Sequence, residues 1–140
     1  MTEFRFYHPI EVRYGDLDPQ GHVNNARYLT YMEQARIAYI KALSLWRGGS
    51  FLDVGIILAD ARVIFHAPIL YGQQVRVGVR VSQIGNKSIT MEYRLEDGAN
   101  GQQLASGSSV LVAYDYREAR SMPVSENWRR TIAEFEDLHE

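Results

Sequence analysis

Cysteine is absent from the 140 residues, which removes disulfides, thiolate-held metals and cysteine nucleophiles together and fits a reducing compartment. Charge of one sign is missing too: 15 Lys and Arg against 17 Asp and Glu leave a formal charge of -2. No basic footprint for nucleic acid exists, and no attraction to an anionic membrane surface, so an anionic ligand must find a local basic cluster. Nothing approaches the roughly 20 apolar residues of a membrane span, and the opening "MTEFRFYHPIEVRYGD" lacks the apolar core of a signal peptide. A cytoplasmic, soluble protein is expected. Nor is there a phosphate loop: "GGSFLDVG" has no lysine-serine/threonine ending and no strand-turn-helix setting, which disfavours nucleotide hydrolysis and dinucleotide redox chemistry. His8, His66 and His139 show no ligand spacing, so neither a metal nor a cofactor is expected.

What is present is enough apolar material, 46% of the residues, for one domain spanning 1–140. Phe4, Phe6, His8, Ile10, Val12 and Tyr14 alternate with mostly polar residues, the period of a half-buried strand. Gly15 to Gly21 has loop composition. From about Ala26 to Leu45 the period lengthens: Tyr28, Leu29, Tyr31, Met32, Ala35, Tyr39, Ala42 and Leu43 share one arc of a long helix. Asn24 or Asn25 supplies its cap, Gly48-Gly49 stops it, and Arg36 lies at the arc's edge where it can pair with Glu33. The mostly apolar residues 55–66, two alternating runs, 75–81 and 88–96, and residues 102–114 read as strands. Gly85-Asn86 forms a hairpin turn, "EDGANG" a second turn, and Ala105 to Ser109 a small-residue stretch open to close approach. A short helix with Ser125 as cap closes the chain. One long helix and one antiparallel sheet bury their faces only against each other, so the expected class is α+β in two layers. The sheet's edges favour a homodimer or homotetramer.

The stretch "DLDPQGHVNNARY" crowds two carboxylates, an imidazole and two carboxamides ahead of the helix. The first N–H groups of a helix lack intrahelical partners and sit at its positive end, where an oxygen gaining negative charge is stabilised. Asp18, seven residues before Asn25 and held by Pro19, can face the same spot. A carboxylate beside polarising amides is the minimum equipment for acyl transfer, attacking a carbonyl carbon or deprotonating a water that does. The same residues also serve ordinary roles: Asp16 and Asp18 as turn formers, Asn24 and Asn25 as caps. His22, with no serine or cysteine nucleophile nearby, would orient the carboxylate or a water.

"YGDLDPQGHVNNARYLTYMEQAR" resembles the signature of hotdog-fold acyl-CoA thioesterases of the 4-hydroxybenzoyl-CoA thioesterase type. The likeness runs through first strand, Asp-x-Asp-Pro-x-Gly loop, long helix and the strand array with its "IGNKS" turn. It implies an antiparallel sheet wrapped around the helix, and hydrolysis of an acyl thioester to free acid and CoA. It places the catalytic aspartate on Asp18 and the amide that polarises the thioester carbonyl on Asn25. The "HVNN" form is also similar to plant acyl-carrier-protein thioesterases, whose aspartate, asparagine and histidine match Asp18, Gln20 and His22, with Gln20 replacing the asparagine. Tyr28, with Tyr31, Met32, Phe51 and Leu52, would help close an acyl pocket. The resemblance further implies CoA lying across an interface between two subunits. Lys87-Ser88 is kept at the turn that grips CoA phosphates, but Gly85 and Asn86 stand where arginines would sit, leaving Arg62, Arg76 or Arg80, or a carrier-protein donor, as alternatives. Two other classes use the same fold: a noncatalytic acyl-thioester binder, and a dehydratase, for which His22 and Glu33 would be the only candidate pair.

Overall fold

The computed structural model describes residues 3–139. The elements run β1 (Phe6–Ile10), α1 (Asn25–Ala42), β2 (Ile56–Phe65), β3 (Val75–Ile84), β4 (Ser88–Asp97), β5 (Gln103–Asp115), β6 (Arg120–Ser121) and α2 (Glu126–Glu136). Short 3-10 turns sit at Tyr14–Asp16 and Phe51–Val54. The main sheet has the order β1-β3-β4-β5-β2, antiparallel throughout, with β6 paired only to β5. Among the described residues no helix is long and apolar enough to cross a membrane.

The sheet curls around α1 because alternate residues of its central strands are apolar on one face only. Val75, Val77, Val79 and Val81 of β3 and Ile89, Met91, Tyr93 and Leu95 of β4 are buried, facing Tyr28, Tyr31, Met32, Ala35, Tyr39 and Ile40 of α1. Each fully buried valine or leucine contributes about 1.5–3 kcal/mol. The small-residue stretch does what its composition allows: a Cβ on Gly107 would lie 2.9 Å from both Met32 Cε and the Arg62 carbonyl, so a side chain there would press on the β2 backbone as well as on the helix. This is the wrapped α+β architecture that the resemblance implied.

Two details depart from the sequence expectations. Pairing in the first strand covers only Phe6–Ile10. Phe4 turns to the outer face, under the Arg80 guanidinium and in the notch left by Gly78, while Tyr14 is exposed in a 3-10 turn. On α1, Leu29 and Ala42 are exposed, and Arg36 and Ile40 are buried instead. In addition β2, read from the sequence only as a mostly apolar strand, is an edge, with Ile57, Leu58, Ile64 and Phe65 each 40–51% exposed. The cause is asymmetric packing: α1 lies against β1 and β3, leaving the β2 side of the inner face uncovered. At the other edge β1 stops opposite Val79, and Glu136 of α2 takes over, accepting hydrogen bonds from the Val81 N–H at 2.9 Å and the Tyr39 hydroxyl at 2.6 Å.

Candidate active site

The loop from Tyr14 to Asn24 is built on its two aspartates, in different ways. Asp16 accepts hydrogen bonds at Oδ2 from the Arg13 N–H (3.0 Å) and from the Tyr31 hydroxyl (2.7 Å), and its Oδ1 lies 3.6 Å from Arg27 Nε. Its carbonyl accepts from the Asn24 N–H at 2.8 Å. Asp16 therefore ties the loop to the first turns of α1. Burial, then the hydrogen bond to Asp16, pushes the Tyr31 phenol well above its ordinary pKa.

Asp18 closes the next turn on itself. Its N–H donates to the His22 carbonyl (2.8 Å), its carbonyl accepts from Gly21 (2.9 Å), and Gly21 adopts φ +80°, which favours glycine. Oδ1 accepts from the backbone N–H of Gln20 at 3.0 Å and of His22 at 3.3 Å. Oδ2 has no hydrogen-bond partner among the described residues. The side chain is half-buried. The loop is stapled to the segment after β2 by Val23 N–H to the Ile69 carbonyl (2.9 Å) and a His22–Leu70 bridge.

The structure resolves the two asparagines. Asn24 is the cap, its Oδ1 accepting from the Ala26 N–H at 2.9 Å. Asn25 is the first helical residue, exposed, and no acceptor among the described residues takes its N–H. A carboxylate oxygen and a helix-terminal amide, both without partners among the described residues, thus stand in one loop and at the helix start that follows it. That pairing can polarise a carbonyl and deliver a nucleophile to it.

The other expected residues are placed less uniformly. His22 is half-buried with its backbone committed to Asp18, and Gln20 is exposed and reaches Asp18 through its backbone only. Tyr28 is buried in the wall behind the loop, its ring edge-on to Phe65 at 4.8 Å. Lys87 and Ser88 lie in the β3–β4 hairpin, where Lys87 Nζ sits 3.5 Å from Ser121 Oγ. Strand register puts Ile10, which leads to the loop, beside Val75 at the far end of β3. Ten strand residues span about 33 Å, so within one chain the hairpin and the Asp18 loop stand at opposite ends of the sheet. Of the arginines expected to grip phosphate, Arg76 is held by Glu96 (2.9 and 2.7 Å) over the Tyr7 ring, and Arg80 by Glu92. Both are on the outer face and already engaged; Arg62 has no ion pair among the described residues.

Sequence reasoning missed a cleft of about 510 Å³ between α1 and β2, lined by Thr30, Glu33, Arg36 and Ile37 on one side and Ile56 to Leu58 on the other. Arg36 is buried there, donating to the Tyr93 hydroxyl at 3.1 Å, which in turn bonds Ser109 Oγ at 2.7 Å. The available signal was the phase of Arg36, three residues after Glu33 and on the border of the apolar arc. Among the described residues no three His, Asp or Glu side chains converge as a metal site requires.

The family model described as the thioesterase-like superfamily matches residues 12–132. The chain belongs to the thioesterase-like superfamily. Among solved structures this superfamily member is similar to a thioesterase from Thermus thermophilus, determined in complex with coenzyme A and Zn. The two are 36% identical with a TM-score of 0.86, covering 99% of this chain and 100% of that one. Among curated proteins it is 21% identical to the long-chain acyl-CoA thioesterase FadM of Escherichia coli over 90% of this chain and 96% of FadM. It is 24% identical to a 1,4-dihydroxy-2-naphthoyl-CoA hydrolase of Synechococcus elongatus over 96% of this chain and all of that protein. These likenesses span the whole hotdog domain, including both the Asp18 loop and the β3–β4 hairpin.

Proposed function

We propose that this thioester hydrolase acts on acyl-CoA, releasing a free acid and CoA, with the Asp18 turn as the reacting centre. The observation that carries the reading is the unpartnered Asp18 Oδ2 in the loop that leads into α1, whose first residue, Asn25, has an open N–H. The Asn25 N–H donates to the thioester oxygen as it gains charge. Asp18 either attacks the carbonyl carbon, giving an anhydride that water then cleaves, or removes the proton of the attacking water. In both routes the thiolate of CoA leaves and takes up a proton. His22 positions Asp18 through its backbone. The named activities of the Thermus, Escherichia and Synechococcus relatives support the reaction class.

The site is completed by a second copy. The Lys87-Ser88 hairpin can serve the Asp18 turn only from another subunit, because one chain holds them a strand length apart. The apolar, uncovered β2 edge is where that copy docks. A homodimer, alone or doubled into a tetramer, then carries CoA across the interface, with Lys87 and Ser88 of the partner toward its phosphates and Tyr28 in the wall behind the acyl group.

Asp18→Asn tests the assignment. Asparagine keeps an oxygen for the Gln20 and His22 amides, so the loop and the oligomer stay intact, while the charge disappears. Thiol release across an acyl-CoA panel falls by about 10²–10⁴ with the thermal midpoint unchanged. Turnover equal to the parent would reject Asp18 as the reacting group.

A further inference from the structure

We propose that Arg36, in the cleft between α1 and β2, selects acyl chains that end in a carboxylate, so that the preferred substrates are CoA monothioesters of dicarboxylic acids. The proposal rests on the acyl-CoA reading of the Asp18 turn and adds the class of acyl group to it.

Arg36 is only 7% exposed, yet its charge is incompletely matched. Nη1 donates to the Tyr93 hydroxyl at 3.1 Å, which leaves the edge formed by Nε and Nη2. The same edge of Arg76 holds Glu96 through two hydrogen bonds, of 2.9 and 2.7 Å. In Arg36 that edge has no hydrogen-bond acceptor among the described residues: Glu33 Oε2 stands 3.6 Å from Nη2, on a side chain that is 68% exposed, and that separation is too long for a hydrogen bond. A buried charge without a full set of partners is costly. The two parallel donors of a guanidinium edge match a carboxylate rather than a lone hydroxyl, so a carboxylate is the group that completes it.

Position says which carboxylate. Arg36 follows Asn25, the residue with the open N–H, by eleven positions of α1, three helical turns plus about 20°. Both therefore lie on one stripe of the helix, with Leu29 and Met32 between them. That stripe faces β2: Leu29, Met32, Arg36, Leu58 and Ala61 line a cavity of about 140 Å³ that shares Arg36 and Leu58 with the 510 Å³ cleft. Leu29 and Leu58 are 44% and 47% exposed, flanking an apolar channel that runs from the helix start to the guanidinium. Along the axis Asn25 and Arg36 stand about 16 Å apart. A helical side chain leans back over the preceding turn, which puts the guanidinium about 10–16 Å from the amide. An extended chain with C–C bonds of about 1.5 Å advances about 1.25 Å per carbon, so an acyl group of roughly 8–12 carbons sets its far end against Arg36. A benzoyl-sized group stops short of it.

The test compares thiol release from plain acyl-CoA and dicarboxylyl-CoA thioesters in pairs of equal length, with lengths on both sides of that range. The ratio of kcat/KM, dicarboxylyl over plain, is expected to peak within the range at about 10–100-fold, the worth of a charged hydrogen-bonded pair. Glu33→Gln, at an exposed position, removes the competing carboxylate and is expected to raise the ratio, whereas Arg36→Met is expected to bring it to one or below. Should Arg36→Met fail to fold, the length profile and Glu33→Gln decide. Calorimetric affinities of the Asp18→Asn protein for the same thioesters read the preference without turnover. A ratio near one at every length, equal affinity for the two series, or a ratio that Glu33→Gln leaves where it was would overturn the assignment of Arg36, even with thiol release intact. Selective binding without thiol release in the parent would instead overturn the reaction at Asp18 and leave Arg36 standing.

Discussion

Tyr31 carries a hydroxyl to the border of the core at the start of α1, and the Asp16 carboxylate accepts its hydrogen bond at 2.7 Å. Without that acceptor the phenol loses a hydrogen bond to a charged group, about 1.5–3 kcal/mol. Asp16→Ala also frees the Arg13 N–H, so its thermal midpoint is expected to fall along with its activity, because the loop loses its tie to the helix. Asp18→Asn, two residues away, is expected to lose activity alone. A scanning calorimetry trace for Asp16→Ala that superimposes on the parent would refute this division. From the sequence both aspartates look alike, each next to turn-forming residues. What separates them is a partner fifteen residues downstream for one and only its own loop for the other, and spacing within the loop contains neither fact. The Asn24 cap and the open Asn25 amide were legible, to within one residue, because a helix start forces that chemistry on its first turn.

At the scale of elements, Met32 of α1 reaches β5 where that strand lacks a side chain, at Gly107. An added Cβ at Gly107 would meet Met32 Cε and the Arg62 carbonyl, both at 2.9 Å; the flexible methionine can move but the β2 backbone cannot without disturbing its ladder. Gly107→Val is expected to cost about 1–3 kcal/mol through overpacking and to lower the denaturant midpoint accordingly. A companion Met32→Ala in that background should recover little, because the backbone contact persists. Full recovery would show that the helix alone sets the limit. The alternation of β3 and β4 made these strands readable, since a sheet with one buried face writes a period of two into the chain. The helix was harder: Leu29 and Arg36 sit at the borders of its apolar arc, and which border turns inward depends on Tyr93 and Ser109 of the sheet, far away in sequence.

At the scale of the whole molecule, β2 is apolar over most of its length, broken by Asp60 and Arg62, and this single chain leaves it at an edge. The outer face carries a different kind of order. Glu96 of β4, almost fully buried, accepts from Arg76 of β3 at 2.9 and 2.7 Å and from Arg94 at 2.8 Å, beside the Tyr7 ring of β1, so one carboxylate ties the strands together. Burial pushes its pKa up, but the hydrogen bonds and charges of Arg76 and Arg94 outweigh it, and the net shift is downward. A carboxyl whose folded pKa lies below its unfolded value, about 4.3, stabilises the fold in full above that value. The contribution is lost as pH falls through the lowered folded pKa. Glu96→Gln is therefore expected to be less stable than the parent at pH 7 by about 1–3 kcal/mol, the two arginines being open enough to water to limit the loss. The gap between parent and variant should narrow as pH drops below about 4.3. Urea melts of both proteins from pH 7 to pH 3 measure this directly, and a gap that stays constant or widens toward acid would mean that Glu96 holds the strands by shape rather than by charge.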